Sequence, residues 1–350
     1  MENRVFVSSS PHITDRESIP KIMYSVTLSL IPAAIGAIYF FGIRALWVMV
    51  IGMVAAILTE GVLQRLLKRP VSISDGSAML TGLLVAFNVP AEVPWWIPMI
   101  GSIFAIAIGK VVFGGLGYNP MNPALLGRAF LLASWPTHMT IYNTVPKGGT
   151  LSGIDIITSA TPLNVFRQAR EAIATNTNLI TDTNEVVVPS EVLSQLSDSY
   201  SNLFWGRIGG CIGETSVFLL LLGAIFLIYK RYISLKIPVS YIGTVALLAW
   251  IFGGTEGLFT GDPLFQVLSG GLMLGAFYMA TDMVTSPVTY NGRIIFGVGC
   301  GVITILIRLI GGYPEGVSYS ILLMNLTVPL IDRYTKPKVF GEDKKNERYY

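Results

Sequence analysis

The feature that most constrains this chain is the recurrence of apolar runs of membrane-spanning length, or close to it, from about Lys21 to about Asp332. A helix of roughly 20 apolar residues crosses a hydrocarbon core, and only structures that satisfy their own backbone groups survive there. Ten such runs are present. Seven are ordinary, over residues 22–43, 45–64, 94–116, 208–229, 238–254, 293–311 and 317–332. Three are short or interrupted by Gly and polar residues, over 76–89, 121–135 and 265–281. Composition points to the same solvent. Only 13% of the 350 residues are charged and mean hydropathy is +0.61, whereas a soluble domain carries roughly a quarter charged residues. Too little polar surface remains to coat a core in water.

Several functional classes fall away on the same residues. Net charge is +3, and the basic residues come in short bursts between apolar runs, without the aromatic-interleaved stripe of a nucleic-acid face. Cys211 and Cys300 lie far apart with no C-x-x-C or Cys/His cluster, so this chain alone does not build an iron–sulfur or zinc site. His12 and His138 are the only histidines, and both fall in polar segments. No phosphate-binding loop, nucleophile triad or metal-ligand spacing is present, so catalytic and metal-ligating residues are expected to be none. The polar start of the chain carries both charge signs and no small-residue cleavage site, which reads as an exposed arm.

Ten crossings put both ends on one side, and the Lys/Arg distribution chooses it. The first arm, the connections holding Arg65, Lys68, Arg69, Lys110, Lys230, Arg231, Lys236 and Arg293, and the tail from Arg333 together hold 17 of the 24 basic residues. The positive-inside rule makes that face cytoplasmic. The expected fold class is therefore an all-α polytopic membrane protein in five parts: a cytoplasmic arm over 1–21, five helices over 22–135, an extracytoplasmic loop over 136–205, five helices over 206–332, and a cytoplasmic tail over 333–350. The two halves also look alike. Asp75 to Pro90 lies over Ser269 to Asp282 with Gly82 on Gly275, each being the third run of five. Five spans is an odd number, so such a 5+5 repeat is inverted across the membrane, with its short broken helices meeting near the middle. Chance recurrence of Gly and Leu is the alternative.

Within the long loop stands Asp155-Ile-Ile-Thr158-Ser159-Ala160-Thr161-Pro162. Taken by itself it is a polar turn before a helix, with Thr161 as N-cap and Pro162 at the first helical position. It also resembles the flavinylation motif of the membrane-subunit family that includes the D subunit of Rnf-type complexes and the B subunit of the sodium-translocating NADH:quinone reductase. Ser159 stands where Gly is common in that family, and Thr158 where Ser is common. The likeness continues in family order over roughly residues 8–335: Ser10-Pro11-His12, Asp75-Gly-Ser-Ala with Thr81-Gly82, Gly117-Tyr-Asn-Pro-Met-Asn-Pro-Ala124, Gly127-Arg128-Ala129-Phe130, Ala280-Thr-Asp-Met-Val-Thr-Ser-Pro287, Gly292-Arg293 and Gly311-Gly312-Tyr-Pro-Glu-Gly316. The short arm resembles the Rnf branch.

That resemblance implies a subunit of a complex that passes electrons between ferredoxin and NAD while moving Na+ or H+ across a prokaryotic cytoplasmic (inner) membrane. It implies FMN joined through its phosphate to Thr161, within the motif Asp155, Thr158, Ser159 and Ala160, and attached by a flavin transferase. It also implies a non-covalent riboflavin between the helices. Iron–sulfur and NAD chemistry would belong to partner subunits, so no complete active site is expected here. Arg128, Asn119 and Asn122 are candidate cofactor contacts; Asp282, Thr281 and Asp75 are candidates for an ion or the second flavin. Each has a plainer alternative: a salt bridge for Arg128, turn-shaping for the asparagines, a helix-end residue for Asp282. Glu60 and Glu214 read as ordinary interface residues. The rival functions are a small-solute channel or secondary transporter of inverted-repeat type, and a scaffold that seats partners.

Overall fold

The computed structural model describes residues 17–140, 142–143, 158–159, 161–175, 179–180, 186–187, 200–214, 216–254, 257–311 and 315–337. Helices dominate them. In the first half these are α1 (Ile19–Phe41), α2 (Ile43–Leu66), α3 (Ser77–Phe87), α4 (Trp96–Ile106) and α5 (Pro123–Ser134). A π-helical turn, Ala107–Val111, extends α4. Helix α6 (Pro162–Ala174) belongs to the long connection. The second half holds α7 (Val217–Tyr229), α8 (Lys236–Phe252), α9 (Pro263–Leu268), α10 (Leu272–Leu274), α11 (Tyr290–Ile310) and α12 (Val317–Tyr334). A second π-helical turn, Gly275–Met279, extends α10. Extended structure among the described residues is limited to two antiparallel pairs of two-residue strands.

All ten apolar runs are helical over most of their length, but only α1, α2 and α11 are long and apolar enough to cross a membrane by themselves. The sixth run is shorter than its hydropathy suggests. It is apolar from 208, yet Gly206, Gly209, Gly210 and Gly213 hold its start in turns, and α7 begins only where the Ser216 hydroxyl accepts from the Leu219 amide at 3.4 Å. The interrupted run over 265–281 is a broken helix. Gly270 separates α9 from α10 with φ +66, a left-handed conformation that costs an L-side chain energy and glycine nothing.

Helix α2 packs on α3 and α4, and α4 on α5; α8 packs on α9 and α11, and α11 on α12; α1 lies along α7. One apolar core runs through both halves, from Leu30, Val85 and Phe87 to Tyr241, Phe265 and Phe296. The outside is apolar as well, with Ile35, Leu58, Ile225, Val239 and Ile310 exposed. Lipid is the surrounding that makes both faces favourable, because contiguous apolar surface of this extent is not stable in water.

One basic residue lies elsewhere than expected. Lys110 counts among the connections by sequence, but it sits in the π-helical turn and is buried against α2. The reason is Glu60, whose carboxylate lies 2.7 Å from the Lys110 ammonium.

Helices α2 and α3 meet without side chains between them. A Cβ at Gly82 would land against the Gly52 carbonyl and 2.7 Å from Met53 Cα, which is backbone and cannot yield. Gly82→Val should therefore cost about 1–3 kcal/mol by overpacking, read as a lower Tm of the purified protein. Gly243→Ala, which opens into free space, should leave Tm unchanged. Equal Tm values for both variants would show that α2 and α3 do not pack this closely.

Candidate functional site

Both π-helical turns contribute to one cavity. A π turn inserts an extra residue and re-aims the side chains that follow, and such turns cluster at functional places. Lys110 comes from the first and Tyr278 from the second, and both line a cavity of about 60 Å³ together with Thr81, Asn119, Asn122 and Asp282. That is well below the size of a ligand pocket, so a ring system is held here only with the lining side chains moved apart.

The polar groups here divide into spent and available ones. Asn122 caps α5, its Oδ1 accepting from the Ala124 and Leu125 amides at 3.0 and 3.4 Å, while its Nδ2 donates to the Met279 carbonyl at 3.3 Å. It shapes the turn and ties α5 to the second π turn. Asn119 is buried and donates to the Met121 carbonyl at 3.2 Å, yet its Oδ1 has no partner among the described residues. A buried acceptor left empty costs free energy, so a ligand N–H directed at Asn119 fits, as the imide N–H of a flavin ring would. Asp282 accepts from the Thr285 hydroxyl at 3.1 Å and also faces a second cavity of about 50 Å³, which Thr281 lines. The Thr281 hydroxyl is spent on the Phe277 carbonyl at 2.7 Å. Asp75 stands one residue behind the cavity, accepting from the Ser77 hydroxyl, which in turn accepts from Lys110 at 2.5 Å. Glu60, Lys110 and Ser77 are thus cavity or support residues that sequence reasoning missed. The usable signal is one acidic and one basic residue in neighbouring apolar runs.

The long connection carries Thr161. Thr161 is the N-cap of α6, its hydroxyl accepting from the Asn164 amide at 3.3 Å, and it is buried. Thr158 and Ser159 form a two-residue strand paired with Tyr142–Asn143, in the register Tyr142 to Ser159. Asp155 and Ala160 lie outside the described residues. Helix α6 docks through Phe166 on Phe265 of α9, with ring centroids 5.4 Å apart. Leu163 and the Arg308 guanidinium meet over Gly270: a Cβ built there would lie 2.7 Å from Leu163 Cδ1 and 3.2 Å from Arg308 Nη2. Arg308 is buried and donates to the Gln266 and Ser269 carbonyls at the end of α9, at 2.5 and 3.1 Å, with no carboxylate on it among the described residues. Its Nε has no partner among them. A buried arginine beside a helix N-terminus is a fitting neighbourhood for a phosphate ester on Thr161. The sequence alone marks Arg308 only as a residue at the edge of a span.

Between these two places Arg128 joins the halves of the chain. Its Nη1 donates to Asn88 Oδ1 at 2.8 Å and to Glu214 at 3.3 Å, and its Nη2 pairs with Glu315. Cys211 Sγ lies 3.9 Å away. The salt-bridge alternative for Arg128 is what the geometry presents, and Glu214 is its partner rather than an ordinary interface residue. Cys211, Glu214 and Glu315 could ligate a cation by their spacing, but the guanidinium sits among them and supplies the positive charge. Tyr142 donates to Glu315 at 3.4 Å, and burial pushes its hydroxyl above the ordinary value, so it stays a donor. Removing one member of a buried ion cluster strands the others at a cost of about 3–5 kcal/mol. Arg128→Gln should thus lower Tm strongly, and Glu315→Gln added to it should recover part of the loss. A double variant no more stable than Arg128→Gln would show that the two groups are not coupled.

Comparison with known proteins matches the chain to a family over nearly its whole length. The chain is 48% identical over 340 residues to the D subunit of the proton-translocating ferredoxin:NAD(+) oxidoreductase complex of Clostridium ljungdahlii, covering 97% of each chain. It is 46% identical over 343 residues to the D subunit of the Na(+)-translocating ferredoxin:NAD(+) oxidoreductase complex of Acetobacterium woodii, covering 98% of this chain and 97% of that one. The D subunit of the ion-translocating oxidoreductase complex of a Salmonella paratyphi A strain is 36% identical over 369 residues, covering 97% and 99%. The model of the NQR2, RnfD, RnfE family matches residues 6–341, and the chain belongs to that family.

Proposed function

We propose that this chain is the D-type membrane subunit of an ion-translocating ferredoxin:NAD oxidoreductase complex, sitting in a prokaryotic cytoplasmic membrane with iron–sulfur and flavin subunits as partners. The observation that carries this reading is likeness over nearly the whole length to relatives of that name. A channel or scaffold would have no use for the second observation, a buried N-cap threonine two residues before Leu163, which lies with the Arg308 guanidinium over Gly270. Relatives named for protons and for Na+ are almost equally similar, so overall identity does not choose the ion.

In this reading Thr161 holds FMN as a phosphoester, with Arg308 and the first amides of α6 facing the phosphate. The Asn119 cavity holds riboflavin, with Asn119 accepting from the ring and Asp282 and Thr81 beside it. Bound flavin supplies one- and two-electron chemistry; the chain supplies position and exclusion of water. Thr161 is buried beneath its own helix, so a flavin transferase acts before α6 docks or on an opened α6. The matching order of neighbours, α2 with α3 and α4 beside α8 with α9 and α11, supports the inverted 5+5 repeat. The distribution of basic residues supports cytoplasmic termini, with 136–205 on the opposite side. Cysteines placed at Asn178 and Lys344 should then label from opposite sides of the membrane.

Two variants separate the two flavins. Thr161→Ala should abolish the ultraviolet fluorescence of the denatured band and remove the mass of FMN from the intact chain. Asn119→Leu should keep both and lose at least tenfold of the flavin that acid precipitation releases. Fluorescence that persists in Thr161→Ala, or releasable flavin that persists in Asn119→Leu, rejects the corresponding site.

A further inference from the structure

A third cleft, of about 340 Å³, opens where α7 turns into α8 and where α11 begins. Its chemistry differs from that of the flavin cavities. Arg231 and Arg293 line it, with Ser234 and Ser286 between them. Arg293 spends its Nε on the Pro287 carbonyl at 3.1 Å, and neither arginine has an ion pair among the described residues. The nearby carboxylate of Asp332 is committed to the Val288 and Thr289 amides at 3.2 and 3.4 Å. Lys236 adds a further cation, held 3.1 Å above the Tyr290 ring, and α8 starts here without a side-chain cap. Arg231 and Arg293 are the only charged residues among those lining the cleft.

The lip of the cleft is the opposite. Met283, Val288 and Tyr290 are exposed there, and α8 and α11 present exposed Val239, Ile294 and Ile295 as they leave it. Cations at the ends of apolar helices, with an aromatic ring beside them, lie at the depth of the lipid headgroups. We propose that this cleft binds the phosphate of an anionic phospholipid, with Arg231 and Arg293 clamping the phosphate, Ser234 and Ser286 donating to it, and the acyl chains lying along α8 and α11. A free anion explains the arginines but leaves the apolar lip uncovered. An acidic segment of a partner subunit would meet that same lip with charge. The inference stands apart from the flavin assignments, since none of these residues was placed at either flavin site.

The test uses the intact complex, purified in mild detergent and washed to strip loosely held lipid, with retained phospholipid measured by mass spectrometry. The wild type should keep anionic phospholipid. Arg231→Gln/Arg293→Gln should keep at least tenfold less, while Arg231→Lys/Arg293→Lys and the distant Arg65→Gln should match the wild type. Short-chain phosphatidylglycerol added to the stripped complex should raise the Tm of the wild type and leave that of the Gln pair unmoved, and inorganic phosphate at the same concentration should do nothing. Equal retention in the Gln pair overturns the proposal. So does stabilisation by inorganic phosphate alone, or a cross-link from Ser234→Cys to another subunit in place of lipid. If the Gln pair does not assemble, Arg293→Gln alone is read the same way.

Discussion

Arg128 is the interaction on which the arrangement of the chain turns. A guanidinium inside a hydrocarbon-embedded bundle is tolerable only with its charge and donors answered from within the protein. The groups that answer it come from far apart in sequence: Asn88 at the end of α3, Glu214 before α7, and Glu315 before α12. The constraint therefore works in both directions. The five residues from Gly210 to Glu214, the last three in a single 3-10 turn, stay apart from α7 because Glu214 has to face α5, and the Ile212 amide donates to the Val89 carbonyl at 3.1 Å to hold them there. Through Glu315 and Tyr142 the same cluster reaches the strand pair that carries Thr158 and Ser159. The position of the long connection is thus tied to the ion cluster and not only to the apolar face of α6.

Among the described residues three cations are buried, and each is neutralised differently. Arg128 has two carboxylates; Lys110 has Glu60 and the Ser77 hydroxyl; Arg308 has the carbonyls that end α9. Only the last has no ion pair among the described residues. The C-terminal end of a short helix gives a partial negative charge at best, and Glu214 acts on Arg308 only from beyond ion-pair distance, so Arg308 is the least neutralised of the three. Lys110, although buried to the same degree, presents almost no net charge to the cavity it lines.

Much of this was legible in the sequence, and the limits are physical. All ten helical runs follow from hydropathy, because in lipid an apolar run has no other stable structure. Thr161 as the cap of α6 follows from Thr-Pro before an amphipathic stretch, and the asparagines as turn formers follow from their neighbouring prolines. Hydropathy is silent about where an apolar run stops being helical, which is why the start of α7 lies nine residues later than the run that contains it. It is equally silent about pairing. Glu60 and Lys110 are 50 positions apart in separate runs, and nothing local to either reveals the other. Arg128 was visible as an unusual residue, but its partners come from across the chain, so the choice between cofactor contact and salt bridge rested on three-dimensional proximity that no single motif encodes.

The two proposed flavin positions lie at opposite ends of the same helices. Residues Pro123 and Asn122 at the start of α5 line the Asn119 cavity, while the far end of α5 leads to Tyr142 and the strand beside Thr161. Along α11 the end with Arg293 and the end with Arg308 are separated by about 22 Å at the usual rise per residue. On the proposed reading, the two ends sort two forms of one cofactor by charge. The Asn119 cavity offers an amide acceptor and hydroxyls, holds its lysine in an ion pair and adds the Asp282 carboxylate, all of which suit an uncharged ribityl chain and repel a phosphate. The Thr161 end offers a buried arginine with no ion pair among the described residues and the positive end of α6, which suit a phosphoester and give an uncharged flavin little to hold. A chain that needs both forms then has no need to tell their identical rings apart, since the tails alone direct each to its own end.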